Sequence, residues 1–333
     1  MKHLCIINPM AGQVSGNVND PVNLVMDFFA RNPRMNYAIH ITRWKRDAIG
    51  YTMRYVKNAS EMIRVYAFGG GGTLFEVING VMGLPNVQVA YFPLGTDDDL
   101  ILAFGKKFRD AFKSMRNLSL SPVITIDTIL AGNHYVASNI TIGIGAVSYQ
   151  KGVQLSKRFM LPQNISYNLV AFYYAFIKAE IQHYRIEMEN IELEDDYVGI
   201  FIANISGNGG GTPAPEARFD DGYIDMYVIK QTPTRMILRV LIDYQTGLYK
   251  KWPDYIRHFR CKKLRITSPR VITMILDGEV FYNTELNFEI HPASLNLVCP
   301  FSVENPVIGP LAEETSAEKN YQISDFLPNG DFP

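Results

Sequence analysis

Along the first third of the chain, short apolar runs alternate with longer stretches in which apolar residues recur every three or four positions. HLCIINP, YAIHITR and IRVYAFGG read as strands, while PVNLVMDFFARNP, RDAIGYTMRYVKNA and LFEVINGVMGL read as amphipathic helices. Strands and helices alternating in this way predict crossover units and a mostly parallel sheet. From about Ile124 the pattern changes to many short apolar or alternating runs broken by turn residues: VITIDTILAGNHYVASNITIGIGA, YVGIFIANISG, GYIDMYVIK, KLRITS and VITMILDGEVF. These predict an antiparallel sheet or sandwich. One interruption, NISYNLVAFYYAFIKAEIQHY, has helical spacing and many aromatic residues, and is expected to lie as a helix across the β region. After Val307 the chain turns polar with scattered Pro and Gly, the composition of a loosely held tail. There is no internal repeat.

A length of 333 residues suits two domains, because single cores stop growing before that size. With 47% hydrophobic and 20% charged residues the chain has the make-up of a soluble globular protein. A formal charge of -1 and no Lys/Arg block argue against a nucleic-acid partner. Cys5, Cys261 and Cys299 are an odd number, widely spaced, with no CxxC pair, so neither disulfides nor zinc are expected. The N-terminal apolar run is too short for a signal peptide, and no stretch of about 18 apolar residues occurs, so a cytoplasmic, non-spanning protein is expected.

Four consecutive glycines, Gly69 to Gly72, stand between a predicted strand and a predicted helix. Glycine allows close backbone approach, and a helix start offers free N–H groups, so the loop suits a phosphate. By itself it suits a tight turn equally well. It is neither a Walker loop nor a Rossmann fingerprint, since no Lys-Ser/Thr follows and the glycines are contiguous. No GxSxG context supports a hydrolase.

Distant segments taken together resemble the diacylglycerol kinase catalytic family, which includes bacterial lipid kinases and the sphingosine kinases. The resemblance spans roughly Met1 to Pro300. IINPMAG resembles the family's opening strand and NPxxG turn, GGGGTLFEVING resembles GGDGTxxEVxNG, and PLGTDDDL resembles PxGTxNDF. TIDT resembles the segment with an aspartate at the domain junction, GNGGGTPAPEARFDDGYID the GGG and DDGxLD signature, and LDGE the late acidic motif.

This resemblance implies an NAD-kinase/diacylglycerol-kinase-like α/β nucleotide-binding domain at 1–127, an antiparallel β-sandwich acceptor-lipid domain at 128–299 and a polar tail at 308–333. The chain after 300 is expected to return to the first domain. It implies ATP- and Mg²⁺-dependent phosphorylation of a lipid hydroxyl, with diacylglycerol the default acceptor. Asn8, Pro9, Gly12, Thr42, Gly69, Gly70, Gly71, Gly72, Thr73, Leu74, Phe75 and Thr96 would line the nucleotide site, with backbone N–H groups doing much of the work. Asp99 and Asp127 would belong to a metal and water network. Arg218, Asp221 and Tyr223 would hold a second, structural metal, chiefly by backbone carbonyls, with a plain Asp-Gly turn as the alternative. Glu279 would be the general base, with Asp277 a weaker rival that shapes the turn.

Two positions depart from the family pattern. Gly71 stands in place of the GGDGT aspartate. Asp98 replaces the usual asparagine, so that Asp97, Asp98 and Asp99 gather negative charge near a polyanion. Both departures keep open a weak or inactive member that binds lipid or nucleotide without transfer. A soluble acceptor such as NAD is a third reading, disfavoured by DDGYID and LDGE. The aromatic stretch Tyr167 to Phe176, with Lys157 and Arg158, is either a lipid entrance on a peripherally bound enzyme or plain core. A homodimer stays open.

Overall fold

The computed structural model describes residues 1–11, 20–57, 59–95, 99–105, 108–159, 181–207 and 211–300. The first domain opens with β1 (Lys2–Ile7), α1 (Pro21–Ala30), β2 (Asn36–Ile41), α2 (Asp47–Val56), β3 (Ile63–Gly69), α3 (Gly71–Val81) and β4 (Val87–Pro93). β1, β3 and β4 are near-continuous apolar runs because parallel strands are covered on both faces; all seven residues of β3 are buried. α1 starts where Asp20 accepts from Val22 N at 3.0 Å and Pro21 supplies a preset φ. β1 pairs in parallel with β2 on one side and β3 on the other, and β4 lies parallel beyond β3. The strand order therefore reverses at β1 and β3, and in such sheets the crevice at the carboxyl ends of those strands is the ligand position.

Short helices α4 (Asp99–Leu102), α5 (Arg109–Phe112) and α6 (Met115–Leu120) lead to β5 (Val123–Ala131), β6 (His134–Val136), β7 (Asn139–Gly143), α7 (Ile144–Phe159), β8 (Gln182–Met188), β9 (Ile191–Ala203) and β10 (Ile224–Lys230). Then come α8 (Thr234–Gln245), β11 (Ile256–Cys261), β12 (Lys263–Leu276) and β13 (Glu279–Val298). Except for β13 beside β4, every pairing among β5 to β13 is antiparallel, and a second apolar core, including Ile140, Ile186, Ile202, Met274 and Phe288, fills this region.

The two domains are joined by a strand pair. Ile126 of β5 and Leu295, Leu297 and Val298 of β13 belong to the first core, whereas Ile129, Ala131, Phe288 and Ile290 of the same strands belong to the second. The β13 register breaks between His291 and Leu295, with Ala293 at a positive φ of 46°, where the strand crosses between cores. Beyond it Leu297 pairs in parallel with Val89 of β4. The chain thus rejoins the first sheet inside β13, ahead of residue 300.

Most predicted elements are present. The expected long helix is corrected at its end: Gln182–Tyr184 open β8, because buried Tyr184 and Ile186 alternate with exposed His183 and Arg185. The rest of that stretch from 164 to 180, including Tyr167 to Phe176, lies outside the described residues, as do the Lys157 side chain and the tail. α8 is an element beyond those expected from the pattern; it carries apolar residues at Ile237, Val240, Leu241 and Tyr244 on a mixed polar background.

Candidate active site

Gly69 ends β3, Gly70 is extended and caps α3, and α3 begins at Gly71. The cap residue is glycine and no acidic residue lies in the first turn; Thr73 N and Leu74 N bond back to Gly70 O, so the Gly71 and Gly72 amides at the positive dipole end are the ones suited to an anion. A Cβ on Gly69 would collide with the Thr73 hydroxyl, which explains that glycine sterically. A Cβ on Gly70 would sit 3.9 Å from Gly95 Cα, so the turns after β3 and β4 approach each other closely. Leu94 N donates to Gly69 O at 2.9 Å, and Arg109 Nη2 to Gly95 O at 3.1 Å.

Asn8 follows β1. Its N–H donates to Phe68 O at 3.0 Å, its side-chain amide to Thr73 Oγ1 at 3.3 Å, and its Oδ1 accepts from Met10 N. Pro9 lies in the same turn. Thr42 N donates to Ile7 O at 2.9 Å, placing Thr42 at the same end of the sheet. The fold thus gathers Asn8, Pro9, Thr42, Gly69 to Thr73 and Gly95 at the carboxyl ends of four parallel strands. The Leu74 side chain is buried in the first core and that of Phe75 in the second, and Leu74 N donates to Gly70 O at 3.2 Å. Gly12, Thr96, Asp97 and Asp98 lie outside the described residues.

Glu279 begins β13 and reaches this loop from the other domain. Its Oε1 would lie 2.7 Å from a Cβ on Gly72, and its Oε2 is 2.5 Å from Lys45 Nζ in the β2–α2 turn. The preceding turn is held by Asp277, whose φ is 46°, and by Gly278, whose φ is 86°. The Asp277 carboxylate accepts from Ala137 N at 2.8 Å, Ser138 N at 2.9 Å and Asn139 N at 3.2 Å. Burial pushes its pKa up to about 6 despite those bonds. Asp277 therefore shapes the turn and Glu279 faces the loop.

Further side chains brace this point, within the first domain and across to the second. Glu76 accepts from Arg46 N at 2.7 Å and Ala48 N at 3.1 Å, which fixes the β2–α2 turn. Burial raises the Glu76 pKa, and the Glu279 charge adds to the rise. Asn79 donates to Phe75 O and Tyr135 O and accepts from Tyr135 N, each at 2.9 Å. Phe75, His134 and Phe281 meet ring to ring, and the Arg46 guanidinium lies 5.2 Å over Phe281. Glu76 and Asn79 are legible in LFEVING at helical spacing; Lys45 carried no sequence signal.

Asp127 lies at the junction of the two domains. Its side chain is buried, Oδ2 accepts from Gly222 N at 2.8 Å and Oδ1 from Ala293 N at 2.7 Å. Asn204 Nδ2 also donates to its backbone oxygen at 2.9 Å. Its carboxylate thus joins β5, the Asp221–Gly222 turn and the β13 crossing. Asp99 opens α4, with its carbonyl accepting from Ala103 N at 3.0 Å.

At the expected second metal loop, Asp221 accepts from Tyr223 N at 3.1 Å and pairs with Arg260 at 2.5 Å, while Arg260 lies over the Tyr223 ring. Arg218 Nε contacts Asp220 at 3.3 Å. These side-chain contacts suit an Asp-Gly turn braced by arginine. Among the described residues no group of three or more His, Cys, Asp or Glu is arranged to hold a metal ion.

A parallel sheet whose glycine turn faces a carboxylate from an antiparallel sandwich defines a two-domain protein of the diacylglycerol-kinase and NAD-kinase fold class. Residues 2–130 match the diacylglycerol kinase catalytic domain, and residues 138–299 match the YegS C-terminal NAD kinase beta sandwich-like domain. The chain belongs to the diacylglycerol kinase catalytic-domain family. It is 29% identical over 73% of its length, and 78% of the relative's, to a Shewanella frigidimarina protein named "Probable lipid kinase YegS-like". It is 24% identical over 80% of its length, and 85% of the relative's, to a Staphylococcus carnosus protein named "Diacylglycerol kinase". A crystal structure of a diacylglycerol kinase from Bacillus anthracis str. Sterne shares the fold with a TM-score of 0.65 at 21% identity, over 92% of this chain and 98% of that one.

Proposed function

We propose that this protein is a lipid kinase that transfers the terminal phosphoryl group of ATP to a lipid hydroxyl, with diacylglycerol the default acceptor. The observation that carries this reading is the Glu279 carboxylate held against Gly72 at the start of α3. Phosphates seated on the α3 amides would lie beside a carboxylate able to accept the hydroxyl proton. In the step, the acceptor oxygen gives its proton to Glu279 and bonds to the terminal phosphorus. The bond from phosphorus to the bridging oxygen breaks, and the nucleoside diphosphate leaves with the electron pair.

Mg²⁺, when bound with the nucleotide, spreads charge over the phosphates. Mg²⁺ commonly takes only one or two carboxylates and fills its shell with phosphate and water, and by the resemblance Asp99 and Asp127 would be the carboxylates it meets. No described helix is long and apolar enough to cross a membrane, which is compatible with peripheral binding at a lipid surface.

A second reading rests on one observation: with glycine at 71 the first turn of α3 has no acidic residue, so binding without transfer is the alternative. Radiolabelled phosphate transfer from ATP to a panel of lipids in mixed micelles separates the two. Transfer to any lipid removes the binding-only reading; nucleotide binding without transfer across the panel removes the kinase.

A further inference from the structure

We propose that Lys45 is a phosphate-binding and positioning residue: it holds Glu279 while the site is empty and moves to the terminal phosphate when a nucleoside triphosphate binds. This rests on the reading of Glu279 as the base. Lys45 lies in the turn between β2 and α2, in the first domain, and its ammonium is 2.5 Å from Glu279 Oε2, in the second. The other carboxylate oxygen would sit 2.7 Å from a Cβ on Gly72. A single carboxylate therefore separates the ammonium from the glycine loop.

The turn that carries Lys45 is rigid. Glu76 accepts from the N–H groups of Arg46 and Ala48, and Asp47 accepts from Arg43 N and contacts the His40 ring, each at about 3 Å. Arg46 is turned to the Phe281 ring, so its neighbour Lys45 is the residue of the pair that meets Glu279. The lysine itself is 61% exposed against 20% for Glu279. So exposed a pair adds little to folding stability, and its placement over the loop calls for another use.

Electrostatics decide where the lysine goes. A triphosphate on the α3 amides brings several negative charges within reach of a flexible, strongly hydrated ammonium, against the one charge of Glu279. Lys45 then bonds the phosphate, and the Glu279 oxygen it leaves is free to accept the hydroxyl proton. The cation also falls where the first turn of α3 has no acidic residue to recruit a metal. Nucleotide binding would thereby ready the base before the acceptor is engaged.

The test is equilibrium binding of adenylyl imidodiphosphate, ADP and AMP, followed by Trp44 fluorescence in a Trp252→Phe background, since the chain has two tryptophans. Lys45→Met is expected to weaken the triphosphate analogue about tenfold, the loss of one charge-assisted hydrogen bond, with ADP and AMP changed less than about twofold. Lys45→Arg should restore most of the loss. Glu279→Gln should tighten the analogue about threefold, because the lysine loses its competing partner.

Unchanged analogue affinity in Lys45→Met, or weaker binding in Glu279→Gln, overturns the proposal. Because Lys45 is exposed, both of its variants are expected to melt with the parent, which separates binding from unfolding. If Glu279→Gln keeps full phosphoryl transfer, the reading of the base fails; if it abolishes transfer while Lys45→Met binds normally, only the role of Lys45 fails.

Discussion

The glycine turn at 69–72 and the hairpin turn at 277–279 face each other across the site and are built in opposite ways. The first is made of backbone: small residues, an extended cap and the leading amides of α3. The second is made of side chains: Asp277 pulls in three amides from 137 to 139, and Glu279 projects from the strand that follows. A backbone site tolerates sequence change wherever glycine geometry survives. A side-chain site fails when one atom is lost. Chemistry should therefore be more sensitive at the hairpin, and nucleotide affinity at the glycine turn.

The largest effect tests the hairpin. Glu279→Gln keeps shape but cannot take the hydroxyl proton, and is expected to lower kcat by about a hundredfold to ten-thousandfold while the triphosphate still binds. Activity within a few-fold of the parent would show that the contrast between the turns has no catalytic meaning.

Next in size is Gly71→Asp on the glycine turn. Gly71 is the first residue of α3 and is not among the glycines at positive φ, so aspartate enters without backbone strain and favours the dipole. If the absent carboxylate limits catalysis, Mg²⁺-dependent transfer rises on the order of a hundredfold. A variant that melts no lower than the parent and remains silent, alone and with Asp98→Asn, favours binding without transfer.

Gly72→Ala probes where the turns touch. Its methyl would sit 2.7 Å from Glu279 Oε1, the far end of a flexible side chain that can move aside. We expect a fall in kcat on the order of ten- to a hundredfold through displacement of the base, with little change in melting temperature. An unchanged kcat would mean that Glu279 does not act from the position described.

The smallest effect is thermodynamic. Burial raises the Asp277 pKa to about 6, so the folded state binds its proton more tightly than the unfolded chain does. Its contribution is fully present below the ordinary aspartate pKa and is lost as pH rises through about 6. Urea denaturation should accordingly show the stability of the parent relative to Asp277→Asn declining between about pH 4 and pH 6. A difference that stays constant or grows with pH would mean that the three amides outweigh burial.

The same contrast explains which parts were legible in the sequence. The strands and helices of the first domain follow from apolar runs and helical periodicity, and LDGE and GGGGT mark both turns. The partners of Asp127 are not legible locally, because Gly222 and Ala293 lie 95 and 166 residues further along the chain. Leu74 and Phe75 sit in a nucleotide-like motif, yet α3 turns their side chains into two different cores.

The sequence by itself determined the order and kind of elements and the place of the glycine turn. These depend on backbone conformation and side-chain period within a few residues. Only the tertiary structure decided that Glu279 meets Gly72, that Lys45 pairs with Glu279, and that Asp127 is a joint between strands. Such contacts depend on the crossing of β5 and β13 between two cores, which brings distant residues within hydrogen-bond range, and no local pattern encodes a distance across that crossing.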